Sequence, residues 1–291
     1  MKALLYLAYL LVAVAGYYSR GTRLERLLVK PLLYTLLYGI IPLAVARAYA
    51  LHGLQAFTRY SLTSLAVFAA TTPYALLAAS RVCGSSSECR PVALLTILFP
   101  NTVFLPLSLA PLQGLDVDVV MSYSLPLTLL HFTLGYRLGG GGARRDVPLL
   151  VTVSALTGLA LNLTGLYHTM LKMLEAIGAV SATSGYLALY IVGASMPRVS
   201  GAHLRDPLAY YTLAWRSTAS PLLHYTLAHA LGVKGAALKT LVVESMMPPA
   251  TMNAVIARHL SADYERAALA ILLLTPVCTL EAILAAQLIT Q

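Results

Sequence analysis

The stretch "LVVESMMPPATMNAVIARHL", residues 241–260, decides how the whole chain is read. An apolar run of membrane-spanning length is interrupted there by a glutamate, two adjacent prolines and an asparagine. Proline removes its own N–H bond and crowds the carbonyl four residues back. Pro248 and Pro249 should therefore free the carbonyls of Glu244 and Ser245. At membrane depth such groups persist only where protein, water or a ligand satisfies them. The stretch is expected to be a broken membrane helix rather than an apolar loop.

Composition supports that setting. Of 291 residues, 58% are hydrophobic and 11% charged, with a mean hydropathy of +0.75. Soluble domains carry about 25% charged residues, so a water-soluble fold is excluded. Residues 3–18 resemble a signal peptide, but the following "GYYSRGTRLER" offers no small-residue cleavage site. They are read as the first span of the mature protein. The net charge of +9 is spread over short connections, which points to membrane orientation and not to nucleic acid. Cys83, Cys89 and Cys278 are too few and too poorly spaced for a zinc site, and no cofactor is implied. Cys83 and Cys89 share one loop and are expected as free or buried thiols in preference to a local disulfide.

Apolar runs suited to crossing a bilayer recur at 3–18, 27–49, 57–80, 90–113, 117–138, 147–166, 174–196, 207–231, 236–258 and 265–288. The expected fold is therefore an all-α polytopic membrane protein with ten transmembrane helices. Between the fifth and sixth spans lies "GGGGARRD", residues 139–146, read as a cytoplasmic linker. It separates residues 1–138 from residues 147–291. The odd-numbered connections hold 13 of the 20 Lys and Arg residues, among them Arg20, Arg81, Arg144, Arg198 and Arg258, and the even-numbered ones hold five. This bias places the odd connections in the cytoplasm and both termini outside.

Five spans per half require the halves to insert in opposite orientations, which predicts an inverted repeat. Pro73 and Pro221 lie 148 residues apart, and Pro126 and Pro276 lie 150 apart. The fourth span, "LLTILFPNTVFLPLSLA", aligns without gaps on the ninth, "LKTLVVESMMPPATMNA", at an offset of 144. In the fourth span Pro100 should free the Thr96 carbonyl and Pro106 that of Thr102. Two interrupted helices at matched places in two halves are the best sequence pointer to a transporter's midplane site. The half-helix N-termini would favour an anion there, and the freed carbonyls would favour a cation.

The candidate solute-binding residues are Asn101, Thr102, Pro248, Pro249, Asn253 and Arg216. Thr251 lies beside them. Arg216 would pair with Glu244, receive a solute carboxylate, or snorkel to the interface. Glu244 and Ser245 are the coupling-ion candidates, because a carboxylate at this depth is costly unless it serves a purpose. His131, His224 and His229 are read as packing residues. An intramembrane enzyme would need a Gly-x-Ser-x-Gly serine with a partner histidine, a His-Glu-x-x-His pair or paired aspartates, and none is present in a predicted span.

The run "ESMMPPATMNAVIARHLSADYERAALAILLLTPVCTL", residues 244–280, resembles the closing region of the auxin efflux carrier family. "PNTVFLPLSLAPLQG", residues 100–114, resembles the family's Asn-Thr-Gly-Phe-Leu-Gly-x-Pro crossover: Asn101, Thr102, Phe104 and Leu105 match. Val103 and Pro106 stand where the family has glycines, and Ser108 stands where it has proline. The early "GYYSRG" sits where the family has a Gly-Tyr end to its first helix. The resemblance implies two inverted five-helix repeats with crossed broken helices 4 and 9, a fold related to bile-acid symporters and NhaA-type antiporters. It further implies a permease of the cytoplasmic membrane that moves a small organic anion, expected to carry a carboxylate, by alternating access. A channel or a non-transporting membrane sensor of the same fold is the alternative. Coupling to Na⁺, to H⁺ or to neither stays open, as does a homodimer; the bilayer and the solute are the partners expected.

Overall fold

The computed structural model describes residues 11–12, 14–138, 146–195, 206–259 and 262–289. All regular structure there is helical, apart from one isolated β-type bridge. The helices are α1 (Arg23–His52), α2 (Ala56–Cys83), α3 (Cys89–Leu98), α4 (Phe104–Gln113), α5 (Val117–Leu138) and α6 (Asp146–Leu163). They continue with α7 (Leu171–Ser195), α8 (207–230), α9 (Gly235–Ser245), α10 (Thr251–His259) and α11 (Tyr264–Leu288). Five of these, α1, α2, α5, α6 and α11, are long and apolar enough to cross a membrane. The chain is an all-α protein of the membrane class.

Of the first expected span, residues 11–12 and 14–18 are described and are helical. The linker at 139–146 lies outside the described residues except for Asp146, which opens α6 and accepts a hydrogen bond from the Tyr38 hydroxyl. Arg144, Arg145, Arg198 and Arg205 also lie outside them.

Local chemistry sets the helix ends. Asp116 opens α5 by accepting from the N–H groups of Asp118 and Val119, at 3.0 and 3.3 Å. Asp206 does the same for Leu208 at 2.8 Å, and Asp263 for Arg266 at 3.2 Å. These are N-cap bonds that satisfy otherwise orphaned donors. Pro73, Pro126 and Pro276 lie inside continuous helices, so those prolines do not break their spans. The five-residue π turns at Leu36–Ile40 and Trp215–Ala219 each run into a proline two residues on, Pro42 and Pro221. In both, the last N–H before the proline reaches back five residues, from Ile41 to Leu36 and from Ser220 to Trp215.

Among the described residues two of the expected spans are interrupted, the fourth at Pro100 and the ninth at Pro248 and Pro249. Between α3 and α4, and between α9 and α10, the chain runs extended. There Pro100 stands opposite Pro249 in an antiparallel bridge. Asn101 N–H donates to the Pro248 carbonyl at 2.7 Å, and Ala250 N–H donates to the Phe99 carbonyl at 2.9 Å. The pairing partners are 149 residues apart, 249 minus 100, so the register differs by five from the ungapped alignment at 144. The apolar runs either side of a break are too uniform to specify a register, whereas the bridge is a backbone contact that does.

Burial is layered around the breaks. Residues 92–99, 104–110 and 118–127 of α3, α4 and α5 are buried throughout, as are 239–245 of α9. By contrast α6 exposes Leu149, Val153, Leu156 and Leu163, and α8 and α11 expose Leu222, Leu280 and Leu284. Apolar surface on this scale suits lipid rather than water. Close helix contacts hold the outer layer together. A Cβ placed on Gly158 of α6 would lie 2.1 Å from the Ala46 carbonyl oxygen of α1, so only glycine allows that approach.

Cys83 and Cys89 form a disulfide, contrary to the free thiols expected from the sequence. Gly84, at φ +53°, ends α2 and turns the chain back. The turn brings the two Cα atoms to 5.4 Å, within bridging range. A separation of six residues in the sequence does not reveal such a turn. Cys278 is free and buried.

Candidate solute site at the paired helix breaks

Each break must dispose of the carbonyls that proline leaves without a donor. In the first, Asn101 N–H turns to Pro248 instead of to the Ile97 carbonyl, its partner in an unbroken helix. Arg216 of α8 fills that place, its Nη2 donating to Ile97 O at 2.6 Å. The cation sits at the C-terminal end of α3, where the helix dipole is negative. Arg216 is 3% exposed and makes no ion pair with Glu244 among the described residues. It neither pairs with Glu244 nor snorkels to an interface; its guanidinium braces the break. Pro106 frees no carbonyl either, because it lies in the first turn of α4, where no N–H bond is lost.

In the second break, Glu244 O accepts from Met247 N–H at 3.2 Å and Val243 O from Met246 N–H at 3.1 Å. Ser245 O accepts from the Ser220 hydroxyl of α8 at 3.0 Å, while its own hydroxyl donates to Val242 O at 2.5 Å. The carbonyls expected to be free for a cation are therefore occupied.

Asn101 Oδ1 accepts from the N–H groups of Phe104 and Leu105 at 3.1 and 3.3 Å. It caps α4, so the amide nitrogen is the part of its side chain left to donate to a solute. Asn253 Nδ2 donates to Phe99 O at 3.0 Å and so pins the second break to the first. Thr102 and Thr251 are both buried. Pro248 and Pro249 contribute backbone: one accepts from Asn101 and the other faces Pro100.

A cavity of about 60 Å³ adjoins the crossing. Its polar wall comprises Asn101, Thr102, Thr128, His131 and Thr251, and no Asp, Glu, Lys or Arg lines it. Glu244, Arg216 and Asn253 stand behind this wall rather than in it. His131, read from the sequence as packing, lines the cavity and stacks on Phe99, with ring centroids 4.5 Å apart and planes within 7°. Its Nε2 and the Oδ1 of neighbouring Asn253 are buried without a hydrogen bond of good geometry. A polar ring midway along an apolar span was the available signal; its position facing the first break was not legible.

Two further polar groups flank the site. Inside, Tyr123 of α5 lies 2.6 Å from His224 Nε2 of α8, and His224 Nδ1 lies 2.7 Å from Ser220 O. A carbonyl can only accept, so Nδ1 carries the hydrogen and Tyr123 donates to Nε2. At one end of the bundle, Arg47 pairs with Asp118, and His52 Nε2 lies 3.4 Å from the other oxygen of Asp118. Asp116 completes this group. At the same end, Asp116 N–H donates to the Thr240 hydroxyl at 2.9 Å, and Lys239 Nζ donates to Gln113 O at 2.6 Å.

No protein-family model matches the chain, and no curated protein matches it. The geometry itself offers a small, largely apolar pocket between two broken helices. Hydrogen-bond donors from Asn101 and from the first turn of α10 stand at its wall.

Proposed function

We propose that the chain is a secondary transporter of the cytoplasmic membrane, moving a small organic anion by alternating access. In this reading ten spans form two inverted five-helix repeats, 1–138 and 147–291, with the termini outside, in the manner of the auxin efflux carriers that the sequence resembles. The observation that carries it is the bridge between Pro100 and Pro249. Its spacing of 149 residues falls between the 148 of Pro73 and Pro221 and the 150 of Pro126 and Pro276. Three proline pairs at one spacing support two copies of a single design.

The solute follows from the wall of the cavity. Phe104 and Leu105 N–H are already capped by Asn101 and Asn253 N–H donates to Ala250 O, so the N–H groups of Thr251 and Met252 at the start of α10 supply the open positive end. With the Asn101 amide they suit one carboxylate. A wall without ionised side chains suits an apolar body and gives no anchor for a second carboxylate or an ammonium group. Counterflow of labelled monocarboxylates into proteoliposomes tests the reading. Exchange that accelerates with solute on the far side supports a carrier, and flux indifferent to it indicates a channel.

A further inference from the structure

Glu244 takes no part in the cavity wall, yet it is the most completely enclosed acidic side chain at the breaks. It is 0% exposed, and both carboxyl oxygens lack a hydrogen-bond partner among the described residues. Most donors around it are engaged elsewhere, and the Nε–H of Arg216, which is not, makes no bond to it. Tyr123 donates to His224, Arg216 Nη2 to Ile97 O, Ser245 to Val242 O and Ser220 to Ser245 O. Titratable groups on the helices packed against α9 include Tyr123 and His131 of α5, Arg216 and His224 of α8, and Cys278 and Glu281 of α11, while Asp118 of α5 pairs with Arg47 and Arg266 of α11 with Asp206. Glu281 is held by the Ser217 hydroxyl at 2.8 Å, and Lys239, on α9 itself, is bound to Gln113 O. No ion pair reaches Glu244 from any of them among the described residues.

An ionised carboxylate buried without donors or a counter-charge is strongly disfavoured. A hard metal cation would compensate it only within a shell of oxygen ligands. The carbonyls of Val243, Glu244 and Ser245 each already accept one hydrogen bond, which weakens them as ligands for a cation. A proton needs no shell and adds no net charge to the acid it forms.

We propose that Glu244 is the binding site of a coupling proton, taken up on one carboxyl oxygen and returned to water when the second break opens to the other face. The word coupling rests on the carrier reading above; proton binding by Glu244 does not. Infrared spectroscopy of the protein in lipid bilayers at neutral pH tests the binding directly. A protonated-carboxyl C=O band present in the native protein and missing in Glu244→Gln is expected. If the native protein has no such band, or the variant keeps it unchanged, the proposal is overturned. Should Glu244→Gln not fold, Glu244→Leu serves the same comparison. In proteoliposomes, with benzoate and propionate as probes, a pH gradient should drive net uptake by the native protein. Glu244→Gln should keep counterflow while losing that drive. Uptake driven by a Na⁺ gradient instead, or an unaltered pH drive in the variant, overturns the coupling. Absence of all counterflow in the native protein removes the carrier reading, and the infrared band still decides whether Glu244 holds a proton.

Discussion

Arg216 and Ile97, 119 residues apart, are joined by a 2.6 Å hydrogen bond from guanidinium to carbonyl that replaces the bond lost where the first helix breaks. A charged donor therefore stands in for a backbone N–H at the end of α3.

Removing that donor should be costly. Arg216→Ala leaves the Ile97 carbonyl buried and unsatisfied, and a hydrogen bond from a charged donor contributes about 2 kcal/mol. Thermal or denaturant unfolding in detergent should show a loss of this size, with Arg216→Lys recovering part of it. A solute that stabilises the native protein should stabilise the Arg216→Lys variant to a similar extent, because the arginine does not line the cavity.

Asn101 has two separable duties. Asn101→Asp keeps an oxygen to cap Phe104 and Leu105 but removes the amide donor. It should unfold close to the native midpoint yet fail to exchange an anionic solute. Asn101→Ala loses the cap as well and should be less stable by about 1 kcal/mol. Equal exchange by the Asp variant and the native protein would take Asn101 out of the solute site.

Gly158→Ala places a methyl group 2.1 Å from the Ala46 carbonyl oxygen, a backbone atom that cannot swing aside. A loss of about 2 kcal/mol is expected from the forced separation of α1 and α6. Gly39→Ala, with nothing within 4 Å of the new methyl, is the control. It should be neutral or slightly stabilising through helix propensity.

Asp118→Asn removes the charge partner of Arg47, whose Nε also donates to Leu174 O at 2.8 Å. Breaking one side of a largely buried pair should cost about 2 kcal/mol. The double variant Arg47→Met with Asp118→Leu should lose less than the sum of the two singles, since no lone charge remains. A double-mutant cycle on unfolding free energies measures the difference.

The Cys83–Cys89 bridge closes a short loop between α2 and α3. Loop-closure entropy for such a span predicts about 2 kcal/mol of stabilisation. Unfolding with and without a dithiol reductant should differ by that amount in the native protein. Cys83→Ser should be insensitive to the reductant.

The breaks themselves were legible from prolines set beside polar residues, whereas Pro73, Pro126 and Pro276 show that a proline alone does not interrupt a helix. Their relation to each other was readable only as a half-chain spacing. An ungapped match of apolar runs gives an offset of 144, whereas the backbone bridge joins residues 149 apart. Arg216 shows a different limit. A lone arginine in a span suggests a ligand or a snorkelling side chain, whereas its partner is a carbonyl orphaned 119 residues earlier. The Ser245 carbonyl was expected to be open for the same reason, and its donor, Ser220, comes from another helix. His131 was visible as a polar residue, but its stacking on Phe99 depends on how α5 rotates against the first break.

The crossing has one more property. The bridge between the two prolines is held by the bonds of the residues beside them, and helices begin within a few residues on either side, so the pairing does not lengthen into a ladder. Four half-helices of 10, 10, 11 and 9 residues radiate from this point. At 1.5 Å per residue each is a lever of about 15 Å, and the arms are balanced. A turn of about 10° around such a fulcrum would sweep every outer end through about 2.6 Å while moving the two prolines almost not at all.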